Sequence, residues 1–133
     1  MACLDTSFLI DLAGGKYKAR AWRKMAELSR RAEPLVTTRL NIAELYVGVA
    51  RSDNPKQEEK ALQAILNNFG VLEFDDRVAP LFGWITACLQ QIGRPAGDMD
   101  VLIAATAMAN GHNLITRNKR HFMNIPHLQV EEY

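Results

Sequence analysis

Residues 97–118 read GDMDVLIAATAMANGHNLITRN. Asp98 to Asn110 predicts an apolar helix, and Gly111 is a suitable residue to end it in a left-handed conformation. Asn113 to Thr116 then predicts a short strand. A helix feeding directly into an apolar strand is the unit of an α/β domain with a parallel sheet. Within the helix, Asp100 shares a face with Ile103, Ala104, Ala107 and Gly111. That face is small and apolar, suited to close packing on a sheet. A charge at its head is costly unless paired or coordinated, although a first-turn carboxylate is also favoured by the helix dipole. Asp98 falls on the opposite face and is better placed as the N-cap.

Working outward, the same alternation fills the chain. Ala2 to Asp5 predicts a strand entering a helix, with Thr6 or Ser7 as its cap and Gly14-Gly15 as its stop. Lys16 to Arg31 predicts a helix with Tyr17, Ala21, Met25 and Leu28 on one face. Leu35 to Thr38 predicts a strand, followed by helices from about Leu40 to Ala50 and from Pro55 to about Asn67. Val71 to Phe74 predicts a third strand, and Asp75-Asp76 open a helix to about Ile92. Lys119 to Met123 predicts one helical turn, and Leu128 to Glu131 a last edge strand. The expectation is one α/β domain over residues 1–133, with a central parallel sheet of four to five strands and helices on both faces. Sites in such sheets form beyond the carboxyl ends of the strands.

The bulk numbers fit this. A chain of 133 residues supports one core. At 48% hydrophobic and 23% charged it is globular in balance and not disordered. A net charge of +1 gives no global field for nucleic acid. The basic run of Lys16, Lys18, Arg20, Arg23, Lys24, Arg30 and Arg31 reads as a solvated helix face. Cys3 and Cys88 sit in apolar surroundings and read as reduced core residues. No apolar run approaches the ~20 residues of a membrane span, and no signal-peptide pattern opens the chain, so a cytoplasmic protein is expected.

Four acidic or amide residues recur at strand ends or helix starts: Asp5, Glu44, Asp100 and Asn118. Asp5 ends the first strand, where Thr6 or Ser7 can supply the cap instead. Glu44 lies nearly opposite the stripe Ile42, Leu45, Tyr46 and Val49, beside Asn41, Gly48 and Arg51, so periodicity alone makes it a solvated glutamate. Asn118 alone reads as a turn residue. Asp11, Asp53, Asp75 and Asp76 are explained by helix ends and turns. His112, His121 and His127 lack metal-triad spacing.

Three segments, LDTSFLID, TTRLNIAELYVGV and GRPAGDMDVLIAATAMANGHNLITRNKRHF, in this order and spacing, resemble the PIN-domain ribonucleases, and most closely the VapC-type toxins of bacterial toxin–antitoxin pairs. The resemblance runs from Cys3 to about Val130. It implies a PIN fold with Asp5, Glu44 and Asp100 as the acidic residues of the site and Asn118 at a fourth position that is acidic or Asn. His121 stands where the family often has an acid. Thr6 and Thr116 match positions that often hold hydroxyls near the metal or its water, and Asp98 has at most a supporting role. The implied activity is metal-dependent cleavage of RNA. Asp5 and Asp100 would bind Mg²⁺ or Mn²⁺, and Glu44 and Asn118 would act through water or a second ion. Arg94, Arg117, Lys119, Arg120 and His121 are candidates for phosphate contact. The implied partners are an RNA substrate, a VapB-like antitoxin and a second copy of the chain. Phe8, Tyr17, Trp22 and Tyr46 are candidates to line the antitoxin groove.

Other small α/β classes fit less well. A response-regulator receiver needs an acidic pair after its first strand, and here Thr6-Ser7 follow Asp5. A haloacid-dehalogenase-type phosphatase needs Asp-x-Asp there, and Ser7 takes the second place. A catalytically silent PIN-like binding module is the remaining alternative, against which the intact Asp5, Glu44 and Asp100 speak.

Overall fold

The first strand, β1 (Ala2–Leu4), is buried along its whole length, as expected of a strand covered on both faces. A computed structural model describes residues 1–133. The further strands are β2 (Leu35–Thr38), β3 (Gly70–Leu72), β4 (Asn113–Ile115) and β5 (Val130–Glu131). All neighbours pair parallel, in the order β3-β2-β1-β4-β5. Between them run α1 (Thr6–Leu12), α2 (Lys18–Arg30), α3 (Arg39–Arg51), α4 (Pro55–Leu66), α5 (Val78–Gln91), α6 (Asp98–Ala109) and α7 (Lys119–Phe122). This is the expected parallel sheet, with five strands.

The period of two along each strand divides the core into two layers. Cys3, Val36 and Leu114 point to one face, against Ile85 and Leu89 of α5 and Ile103, Ala104 and Ala107 of α6. Ala2, Leu4 and Ile115 point to the other, against Phe8 and Leu9 of α1, Leu28 of α2 and Ile42 of α3. Ala104, Ala105 and Ala107 of α6 are fully buried, which lets this helix approach the sheet closely. Gly111 follows it at φ +71°, the left-handed ending expected there.

Local differences from the sequence reading have physical causes. The helix expected from Asp75 begins at Val78, because the Asp75 carboxylate accepts the Arg77 N–H at 2.9 Å and forms a turn first. The strand expected over Val71–Phe74 lies at Gly70–Leu72, since its partner β2 ends opposite Leu72. Thr6, Ser7 and Asp98 do not cap their helices. Thr6 and Ser7 lie inside α1, and Asp98 lies inside α6 with Gly97 at the cap position. Cys3 is buried and Cys88 partly so, and both are free thiols. No helix is long and apolar enough to cross a membrane.

Candidate active site

The chain builds β2 and β3 on one side of β1, then crosses to the other side for β4 and β5. The connections therefore diverge at the carboxyl ends of β1 and β4, leaving a crevice there. Asp5 is the first residue past β1, and its N–H donates to the Ile115 carbonyl of β4 at 3.0 Å. Only 5% exposed, it turns away from the helix it precedes. Its Oδ1 accepts from Asn41 Nδ2 at 3.1 Å and its Oδ2 from Thr116 Oγ1 at 2.7 Å.

Glu44 reaches the crevice through the start of α3. Thr38 caps that helix, and Asn41 closes the capping box by accepting the Thr38 N–H at 3.2 Å. The Asn41 amide then donates to Asp5 and, at 3.0 Å, to Thr6 Oγ1. Thr6 in turn donates to Glu44 Oε1 at 2.6 Å. One buried amide thus orients Asp5 directly and Glu44 through a hydroxyl. Glu44 is partly buried and hydrogen-bonded, and not the solvated residue that periodicity alone suggested.

Asp5, Thr6, Glu44, Asp100, Arg117, Asn118 and His121 line one cleft of about 270 Å³. Asp100 enters from the first turn of α6, and His121 Nδ1 lies 3.4 Å from its Oδ2. A second cleft of about 330 Å³ shares Asp100 and His121 and adds Arg94 and Arg120. Lys119 and Asp98 line neither. Thr116, fully buried, also accepts the Asn118 N–H at 3.0 Å, which fixes the turn carrying Asn118. A larger depression of about 930 Å³ lies along α4, shares no residue with the acidic cleft and has one apolar lining residue.

The three carboxylates share a shifted titration. Burial raises Asp5, and the neighbouring Asp100 charge adds to it against three lowering hydrogen bonds. Burial, then Asp5 and Asp100, raise Glu44. Burial raises Asp100 despite His121. No lysine or arginine pairs with any of them, His121 being the only titratable cation in contact. As the side chains stand, no three carboxylate, imidazole or thiol groups are arranged to hold a metal ion. Each oxygen of Asp5 accepts one hydrogen bond from a neutral donor and keeps a further lone pair free.

Asn41 is the site residue that sequence reasoning missed. Grouped with the exposed face, it is fully buried. The signal was Thr38-x-x-Asn41, a capping box with an amide in the usual place of Glu or Gln. Asp11 was missed as well. It is 1% exposed, far more buried than a helix-end acid explained by local structure.

The profile of the PIN-domain family matches residues 2–128. The chain belongs to the PIN-domain family. This PIN domain is 31% identical over 130 residues to ribonuclease VapC1 of Rickettsia felis, covering 96% of this chain and 92% of that one. It is 30% identical over 94 residues to the tRNA(fMet)-specific endonuclease VapC of Shigella flexneri, 71% of each chain. The crystal structure of VapBC2 from Rickettsia felis, bound to a DNA fragment from their promoter, superposes with a TM-score of 0.90 at 26% identity, covering 99% of this chain and 98% of that one.

The four aromatic residues offered as groove-lining candidates do not gather at the chain's apolar groove. Phe8 is fully buried in the core, and the apolar groove over α1, α3 and α4 is lined by Leu9, Ile10, Leu45, Val49 and Leu62. Tyr17, Trp22 and Tyr46 do not line it.

Proposed function

We propose that this PIN domain is a metal-dependent endoribonuclease, the toxin of a VapBC-type pair. One observation carries the reading: Asp5, Glu44 and Asp100 meet in a cleft at the sheet's crossover and none is ion-paired with an arginine or lysine, since Arg117, the one guanidinium lining the cleft, pairs with Asp11 instead. The names of its VapC relatives support RNA as substrate. The donor set is oxygen-only, which suits Mg²⁺ or Mn²⁺ and not zinc. Asp5 and Asp100 would hold the ion, with Glu44 and Asn118 beside them. When bound, such an ion supplies charge to the phosphate oxygens and makes water a better nucleophile.

The chain's own groups do the rest. Asn41 and Thr116 fix the Asp5 carboxylate. Thr6 holds one oxygen of Glu44, leaving the other to orient the attacking water. Arg117 and His121 in the first cleft, and Arg94 and Arg120 in the second, bind phosphates on either side of the cut bond. Lys119 has the weakest claim, since it lines neither cleft. The aliphatic groove over α1, α3 and α4, about 440 Å³, suits an amphipathic segment of a VapB-like antitoxin. A homodimer fits the same reading.

The test is cleavage of single-stranded RNA by the purified chain, with Mn²⁺ and with EDTA. Wild type should cut only with the cation. Asp100→Asn should lose activity on the order of a hundredfold or more. Asp98→Asn should cut nearly as wild type, because Asp98 lies outside the cleft. Cleavage undiminished by EDTA, or an active Asp100→Asn, overturns the reading. Binding without cleavage at any cation concentration establishes the silent module instead.

A further inference from the structure

A second buried acid sits behind the cleft. Asp11 lies in the last turn of α1, where the helix dipole disfavours negative charge. Its Oδ2 accepts from the Tyr133 hydroxyl at 2.7 Å, and its Oδ1 accepts the Tyr17 N–H at 3.3 Å. A Cβ on Gly15 would lie 2.6 Å from Oδ1, so the turn after α1 closes directly over the carboxylate. The Tyr133 ring packs edge-on against Phe8, centroids 4.8 Å apart. This end of the assembly is therefore anchored in the core.

The remaining partner is Arg117, whose Nε lies 3.6 Å from Asp11 Oδ2. Two further contacts restrain Arg117: its main-chain N–H donates to Ser7 Oγ at 3.2 Å, and its guanidinium carbon lies 4.6 Å from the Tyr17 ring centre. Its Nε is buried without a hydrogen bond. Only the Nε edge meets the carboxylate, and the guanidinium's one ion pair is that with Asp11. The side chain also lines the acidic cleft, where it is the one permanent cation. An RNA phosphate approaching three carboxylates is repelled unless a fixed positive group receives it. The planar guanidinium suits that task, and a restrained one loses less freedom on binding.

We propose that Asp11, Tyr17 and Tyr133 form a cradle presenting the Arg117 guanidinium to an RNA phosphate beside the one being cut. Asp11 and Tyr133 are then positioning residues for the substrate. This rests on the nuclease reading above.

The experiment measures binding of a short single-stranded RNA in EDTA, over a range of salt, by fluorescence anisotropy. Arg117→Ala should raise Kd about tenfold and reduce the slope of log K against log salt by about 0.7, the loss of one phosphate contact. Asp11→Asn and Tyr133→Phe should each raise Kd in the wild-type background and leave it unchanged in Arg117→Ala. Arg117→Lys should not restore the affinity. Tyr133→Phe keeps the ring on Phe8, so it carries the test if Asp11→Asn fails to fold. Equal effects in both backgrounds would show a merely structural role and overturn the cradle. Tighter binding by Asp11→Asn would show that Asp11 only screens the arginine, and overturns it too. A wild-type chain that cleaves RNA while Arg117→Ala binds it normally sinks this proposal alone. A wild-type chain that neither binds nor cleaves RNA sinks the nuclease reading with it.

Discussion

The Asn41 amide uses its full hydrogen-bonding capacity inside the protein. Its oxygen accepts from the N–H and hydroxyl of Thr38, and its nitrogen donates to Asp5 and Thr6. Asn41→Ala would leave buried acceptors of Asp5 and buried donors of Thr38 unsatisfied. The expected loss is about 2–3 kcal/mol in urea denaturation, together with reduced RNA cleavage as Asp5 and Thr6 lose their common anchor. Unchanged stability would show that the amide is not the hub that its contacts describe. Residues differ in how legible they were. Asp5 and Asp100 interrupt apolar runs, so sequence exposed them as costly charges. Glu44, Asn41 and Asp11 stand at positions where helical periodicity distinguishes core from solvent but not the sheet's carboxyl end from either. Glu44 was recovered through family resemblance, and the other two were not.

At the scale of elements, alternation of strands and helices was readable because each short strand is apolar and ends at a polar break. Boundaries shifted where side chains compete with helix starts, as Asp75 does with Arg77. The basic run in α2 was legible as charge but not as pairing. Lys24 is only 10% exposed at its side chain and, with Arg31, holds Glu131 of β5, at 3.2 Å and 2.9 Å respectively. The two-residue β5 is thereby tied to α2 as well as to β4. The Arg31 and Lys24 contacts lower the Glu131 pKa to about 2. A depressed carboxylate contributes stability that is fully present above its unfolded value near 4.5 and is lost as pH falls through about 2. Because the cluster is partly solvated, Glu131→Gln should cost only about 1 kcal/mol at neutral pH. Chemical denaturation of wild type and variant should converge as pH falls from 4.5 towards 2, and also at high salt. A constant gap across that range would mean that β5 is held by packing alone.

For the whole molecule, the acidic cleft and the ion-paired surface act on stability with opposite signs. Asp5, Glu44 and Asp100 have raised pKa values, so the folded chain holds protons to higher pH than the unfolded chain does. Where the folded state binds more protons, stability falls as pH rises. For the metal-free protein that decline begins near the unfolded values of 3.8 and 4.5 and continues upward through the folded ones. His112 works the other way. Burial lowers its pKa, so the folded chain binds fewer protons near the unfolded value of 6.5 and gains stability as pH rises there. Comparing wild type with Asp100→Asn cancels that contribution. In EDTA, Asp100→Asn should melt above wild type at pH 7.5, and the gap should shrink towards pH 5. On the proposed cation reading, Mn²⁺ should bind the folded site far better than the unfolded chain. At about a hundred times its Kd it should stabilise wild type by ~2.7 kcal/mol, roughly 10 °C in Tm for a chain of this size. Asp100→Asn should gain little of this. Melting curves of both proteins at the two pH values, with EDTA and with Mn²⁺, decide the matter. Identical Tm for both under all four conditions would mean that the three carboxylates do not act on one another, and the cation reading of the cleft would have no physical basis.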